Sequence, residues 1–284
     1  MLEGQPIEIV GWQLYLAFAG LLLLALAFPE VSGAGLDPDS IGSTPDLALP
    51  IVAVATAGAL AGLFGRLGYD VAVALGGGAV LTLTAFFAAE TRKVMVLSDY
   101  AAGQGVSLGL GAGLVIILIA AVVGLAAVVP GLRAATSSES APVHPLVGVA
   151  GLVGVVLYVI GLAQSSVDDA NPAPWEDDGW VDAFGVLLLA VIAGAALLAA
   201  LRRTGPACAF LGGTMVFLVG IWLVDLDDTS TSLTAEKRAE SPAITIGLLL
   251  VIGVAVVGSL TATQLRSSPA GPVRRRVGLG AGSA

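Results

Sequence analysis

The chain has 284 residues, of which 57% are hydrophobic and only 12% charged, and its mean hydropathy is +0.96. Soluble domains carry about a quarter charged residues, so this composition excludes a water-soluble globular fold and implies a polytopic membrane protein. The 21 acids against 12 bases leave a net charge of −9, the wrong sign for a nucleic-acid partner.

The acids comprise 13 Asp and 8 Glu, while only 2 of the 12 bases are Lys. Acid-rich, Lys-poor surfaces stay hydrated in concentrated salt, where self-repulsion is screened. This points to an extreme halophile, an archaeon; the alternative is an ordinary acidic membrane protein from a GC-rich genome. Cys208 is the single cysteine and His144 the single histidine, so neither an intramolecular disulfide nor a His- or Cys-ligated cofactor is expected.

In chain order, the opening "MLEGQPIEIVGW" has two acids and no base. A cleavable secretory signal has a basic start, so this segment is expected to be retained. Eight apolar spans follow, at 12–28, 47–65, 71–89, 106–129, 146–163, 182–201, 206–224 and 244–262. Each is long enough for a hydrocarbon core of about 30 Å. Pro50, Pro130, Pro145, Pro206 and Pro242 are read as marking span boundaries. The expected fold class is therefore all-α: a polytopic integral membrane protein with minimal loops and no separate soluble domain.

Basic residues in short loops set the orientation. One side receives Arg66, Arg133, Arg202, Arg203, Arg266 and the triplet Arg274–Arg276; the other receives only Arg92, Lys93, Lys237 and Arg238. The first side is expected to be cytoplasmic, with both termini on it. The second, outer side then holds 17 of the 21 acids, including six in the loop from 165 to 182.

The spans also repeat. At an offset of 135, span three lies over span seven: Gly77-Gly78 meets Gly212-Gly213, Phe87 meets Trp222, and Glu90 meets Asp225. Span four overlies span eight at an offset of 134, and span two overlies span six at 136. Spans one and five match only in length and apolarity. The expected organisation is two parallel four-helix repeats, 1–140 and 141–266, and a disordered cytoplasmic tail, 267–284. Each unit has an even number of spans, so both insert the same way up about an axis along the membrane normal. Gly77, Gly78, Gly212 and Gly213 are the candidates for helix packing where spans three and seven meet, because small residues let backbones approach; the alternative is small-residue packing elsewhere within each bundle. Gly58 and Gly62 form a second such face.

Chemistry is sparse. The span interiors contain no Asp, Glu, Lys, Arg or His, which argues against a proton-driven pump. Thr82, Thr84, Thr214, Thr245, Thr261 and Tyr158 are expected to bond carbonyls of their own preceding turn. His144 reads as a solvated loop residue and Cys208 as a small buried hydrophobe. Trp12, Trp175, Trp180, Trp222, Tyr69 and Tyr100 read as interfacial aromatics.

The acids at the outer ends of spans three and seven, Glu90, Asp225, Asp227 and Asp228, are the candidate outer vestibule for cations. The alternative is a solvated acidic face that only keeps the protein hydrated. No catalytic, cofactor or metal set can be assembled, so no enzyme is expected. The reading is a multi-pass cell-membrane protein acting as a non-catalytic scaffold or accessory subunit. Its partners would be the lipid bilayer and other membrane subunits or a second copy. The alternative is a permease or channel with a path at the repeat interface.

Overall fold

The computed structural model describes residues 8–33, 40–103, 107–137, 142–165, 180–227 and 240–267. Helices dominate them: α1 (Glu8–Ala25), α2 (Pro45–Gly65), α3 (Asp70–Gly103), α4 (Ala112–Thr136), α5 (Pro145–Ser165), α6 (Trp180–Arg202), α7 (Gly205–Asp227) and α8 (Pro242–Ser267). In hydrocarbon every backbone N–H and C=O must be satisfied within its own segment, which leaves the helix as the form available to such apolar runs. Six helices, α2, α3, α4, α5, α7 and α8, contain stretches long and apolar enough to cross a membrane. The apolar runs in α1 and α6, Gly11–Ala25 and Val186–Arg202, are shorter.

Three expectations need correction. Residues 90–103 were read as outer loop, yet α3 continues through them to Gly103. At 34 residues α3 is about 51 Å long, well beyond the hydrocarbon thickness. No Pro interrupts 90–103, and the Thr91 hydroxyl is satisfied within the helix by donating to Phe87 O. Pro130 was read as the end of span four, yet α4 runs through it to Thr136. The Pro130 ring lies 3.5 Å from where a Cβ on Gly11 would sit, so α1 covers the interrupted turn, as neighbouring helices can in a membrane. Pro50 likewise lies inside α2. By contrast, Pro145, Pro206 and Pro242 stand within the first two residues of α5, α7 and α8, where a missing N–H costs nothing.

The third correction concerns the start of span four, read at 106: residues 108–110 instead pair as a short strand with residues 31–33, a two-stranded antiparallel sheet that leaves the all-α class standing. β1 (Val31–Gly33) pairs with β2 (Leu108–Leu110), placing Ser32 opposite Gly109. It joins the loop after α1 to the loop after α3. The start of α4 depends on it: Gly111 N–H donates to Glu30 O at 2.7 Å and Gly113 N–H to Pro29 O at 2.9 Å. These bonds satisfy amides that a helix start leaves without partners. A Cβ on Gly111 would collide with the Pro29 and Glu30 backbone. Ser98, on the α3 extension, donates to Leu108 O.

At the opposite end the turns are short. Gly68, in the α2–α3 turn, has φ +77°, a conformation glycine adopts without penalty. Arg203, in the α6–α7 turn, has φ 53°, which costs a side-chain-bearing residue about 1 kcal/mol. Val143 N–H, from the α4–α5 connection, donates to Arg203 O at 2.5 Å and helps hold it there.

The helices pair in a recurring order. α1 packs on α2 and α4, and α3 on α2 and α4; likewise α5 packs on α6 and α8, and α7 on α6 and α8. Across the middle, α3 packs along α7, while α2 touches α7 and α6 touches α3. One continuous core runs through both halves of the chain, from Leu22, Ile51 and Leu83 to Leu211, Phe217 and Val251.

Candidate functional site: the central helix contact

The middle of the bundle is the α3–α7 contact, and glycine makes it possible. A Cβ on Gly78 would strike Phe210 O and come within 2.8 Å of Thr214 N. A Cβ on Gly213 would strike Leu75 O and come within 3.0 Å of Ala79 N. The two backbones therefore touch, which only Gly permits. Gly77 and Gly212 do not share this contact. Gly77 faces α4, where a Cβ on it would come within 2.8 Å of Gly131 Cα, and Gly212 faces Ala255 of α8. Adjacent helix residues point about 100° apart, so each glycine pair serves two interfaces: one across the middle and one within its own half.

Polar groups reinforce this centre differently from the sequence expectation. Thr84, Thr214 and Thr261 bond carbonyls of their own helices, and Thr245 that of Ser241, just before α8. Thr82 instead reaches across, donating to Thr214 O of α7 at 2.9 Å. Phe86 lies against Phe217 with ring centres 4.4 Å apart. Sequence reasoning passed over Tyr15 altogether. It is fully buried, and its hydroxyl stands 2.7 Å from Ala127 O of α4 and 2.9 Å from Val73 O of α3. One proton serves both acceptors. The slot that admits it is lined by Gly77 and Gly131. A tyrosine in the middle of an apolar run was the available signal, because a buried phenol seeks an acceptor.

The chain matches no family model, no curated protein and no solved structure. Its own residues carry the functional argument.

The acidic candidates are only partly placed. Glu90 lies on the α3 helix, and Asp225 and Asp227 on the last turns of α7. Their side chains, and all of Asp228, lie outside the described residues, as do 267–284 beyond Ser267 and the acidic loop 166–179. Among the described residues no group of three or more His, Cys, Asp or Glu is placed to hold a metal ion. His144 is exposed, and its Nδ1 accepts from Leu146 N–H at 3.3 Å. Cys208 is buried against Gly258 of α8. At the same end Arg66 sits over the Trp12 ring, 5.5 Å from its centre. Arg66, Arg133, Arg202 and Arg203 are all exposed at ends of α2, α4 and α6.

Proposed function

We propose that this is a non-catalytic scaffold or accessory subunit of a membrane complex. Its eight helices cross the bilayer as two parallel four-helix repeats, with both termini in the cytoplasm. The recurring helix pairing supports the duplication, and the two loop contacts fit the assigned sides. β1–β2 joins two loops on the side assigned as outer, and Pro142 pairs with Thr204 on the side that holds the arginines. Positive residues favour the cytoplasmic side.

One observation carries the choice of scaffold over permease. A path between repeats would run where α3 meets α7, and there the backbones touch at Gly78 and Gly213, flanked by buried Ala79, Leu83, Phe210 and Phe217. Such packing suits a rigid body that presents its outer faces to partners.

Two experiments test this. In native membranes solubilised with mild detergent, the protein should migrate in an assembly well above its 28.2 kDa, and alone when expressed without its source membrane. In proteoliposomes it should conduct neither ions nor small solutes. Flux that falls when Glu90 and Asp225 are both changed to Asn would establish the permease instead. Single cysteines at positions 137 and 170 should label from opposite faces.

A further inference from the structure

At the end of the bundle with the short connections, the second half gathers its polar side chains in one place. Arg202 closes α6, and Arg203 and Thr204 lead into α7. Val143 N–H donates to Arg203 O at 2.5 Å, and Pro142 pairs with Thr204. These contacts set His144, the next residue after Val143, beside the same turn. Arg202, Arg203 and His144 are all exposed. No acid occurs in residues 140–167, 183–224 or 241–284, so no carboxylate of the second half stands near them. We propose that this turn binds the headgroup phosphate of an anionic membrane phospholipid.

The fold keeps Arg203 there at a cost. Its φ is 53°, and in the α2–α3 turn the same left-handed conformation is taken by Gly68 at φ +77°, an offset of 135 away. Glycine adopts it freely and a residue with a Cβ does not. Non-glycine residues held this way cluster at ligand clamps. Within the protein the Arg203 side chain donates through Nε to Ala200 O at 3.3 Å, at the surface. Both terminal NH2 groups remain for two oxygens of a phosphate, the fork geometry that arginine favours. His144 Nδ1 accepts from Leu146 N–H, which puts the ring proton on Nε2 as a further donor. In the first half the arginine at the end of α2, Arg66, already lies over the Trp12 ring.

The neighbours of these cations select a lipid over a free anion or an acidic protein. Leu201, beside Arg202 in sequence, is 72% exposed, and Leu146, two residues after His144, is 69% exposed. The apolar run of α6 ends at Arg202 itself. In a bilayer such leucines meet acyl chains at the depth where long basic side chains reach up to the phosphates. One anionic lipid satisfies both, its phosphate on the arginines and its chain along Leu201 and Leu146. A free phosphate or an acidic protein segment would leave the leucines uncovered. The site needs only the membrane placement of this end and not the scaffold role, so loss of lipid and loss of a partner complex are separate outcomes.

The full-length protein would be delipidated in detergent and offered phosphatidylglycerol or phosphatidylcholine in mixed micelles, and native mass spectrometry would count the lipid retained. Wild type should retain phosphatidylglycerol over phosphatidylcholine, and an excess of inorganic phosphate should not displace it. Arg202→Gln combined with Arg203→Gly should lower that retention on the order of tenfold, since charge-assisted bonds are lost. Arg66→Gln should leave it unchanged. Arg203→Gly alone should move two readouts in opposite directions: the unfolding midpoint in phosphatidylcholine micelles rises, because glycine suits the turn, while phosphatidylglycerol retention falls. A purely structural arginine would not do this. The idea fails if wild type retains no phosphatidylglycerol or holds both lipids alike, or if inorganic phosphate displaces the lipid. It fails if Arg66→Gln loses as much as the double variant, or if Arg203→Gly leaves retention intact or does not raise the midpoint. A double variant that keeps its lipid but loses a protein from the native assembly would overturn it too, by making the turn a protein-docking site.

Discussion

α1 and α5 hold the same place in their sets of contacts, each against the next helix and the third one after it, yet they pack by opposite means. At every third position α1 presents Trp12, Tyr15 and Phe18; at an offset of 136, α5 presents Gly148, Gly151 and Gly154. The Tyr15 and Phe18 rings of α1 enter glycine slots on its neighbours. A Cβ on Gly58 would sit 3.1 Å from Phe18, one on Gly76 3.0 Å from Tyr15, and one on Gly124 3.0 Å from Phe18. On α5 the glycines belong to the helix itself, and the neighbours come in. Built Cβ atoms on Gly148, Gly151 and Gly154 would lie 2.7 Å from Ala200 Cα, 2.9 Å from Leu211 and 2.9 Å from Gly247 O.

The exchange is reciprocal at one point. Tyr15 opposes Gly76 in the first half; Gly151 opposes Leu211, at the position equivalent to Gly76, in the second. The bulk has moved from one helix to the other. Close packing constrains the sum of the facing volumes rather than either residue, so two helices in the same set of contacts need share little sequence.

Substitutions can break or sharpen this contrast. The largest effect belongs to the contact both halves share. Gly213→Val drives a side chain into the α3 backbone and should destabilise by about 3 kcal/mol or more, read as the midpoint of unfolding in mixed micelles. Emptying the aromatic side comes next. Tyr15→Ala removes a filled slot and a buried hydroxyl and should cost about 3 kcal/mol, whereas Gly151→Ala meets only a movable Leu211 methyl and should cost under about 1 kcal/mol.

The reciprocal exchange is tested by restoring the first-half arrangement in the second. Gly151→Phe and Leu211→Gly should each destabilise, and the double variant should recover about 1–2 kcal/mol relative to their sum. Strict additivity would mean that the two positions do not share one space. Thr82→Val removes the bond across the middle and should lower stability by about 0.6 kcal/mol, an ordinary value for such bonds in membranes. The smallest change is expected at Gly194. A Cβ there meets nothing within 4 Å, so Gly194→Ala should be neutral or raise stability by about 0.5 kcal/mol.

The glycines at the centre were legible as a pair of doublets, because spans three and seven align at an offset of 135 and close helix approach needs small residues. Which member of each doublet faces which helix was not legible, since it depends on how α3 and α7 are turned about their own axes. The acids at Glu90 and Asp225 were legible as charge, not as a site. Nothing in their spacing decides whether they meet.

Hydropathy is local and additive along the chain, so the sequence by itself determined a helical protein with stretches long and apolar enough to cross a membrane, and placed most of its helices to within a few residues. Tertiary structure decided the rest. The partner of Tyr15 lies 112 residues away, the α4 start is held by carbonyls of Pro29 and Glu30, and α3 outruns the bilayer beside a strand pair. Each of these depends on the fit of two surfaces that meet only once the chain has folded, and no window along the sequence contains both.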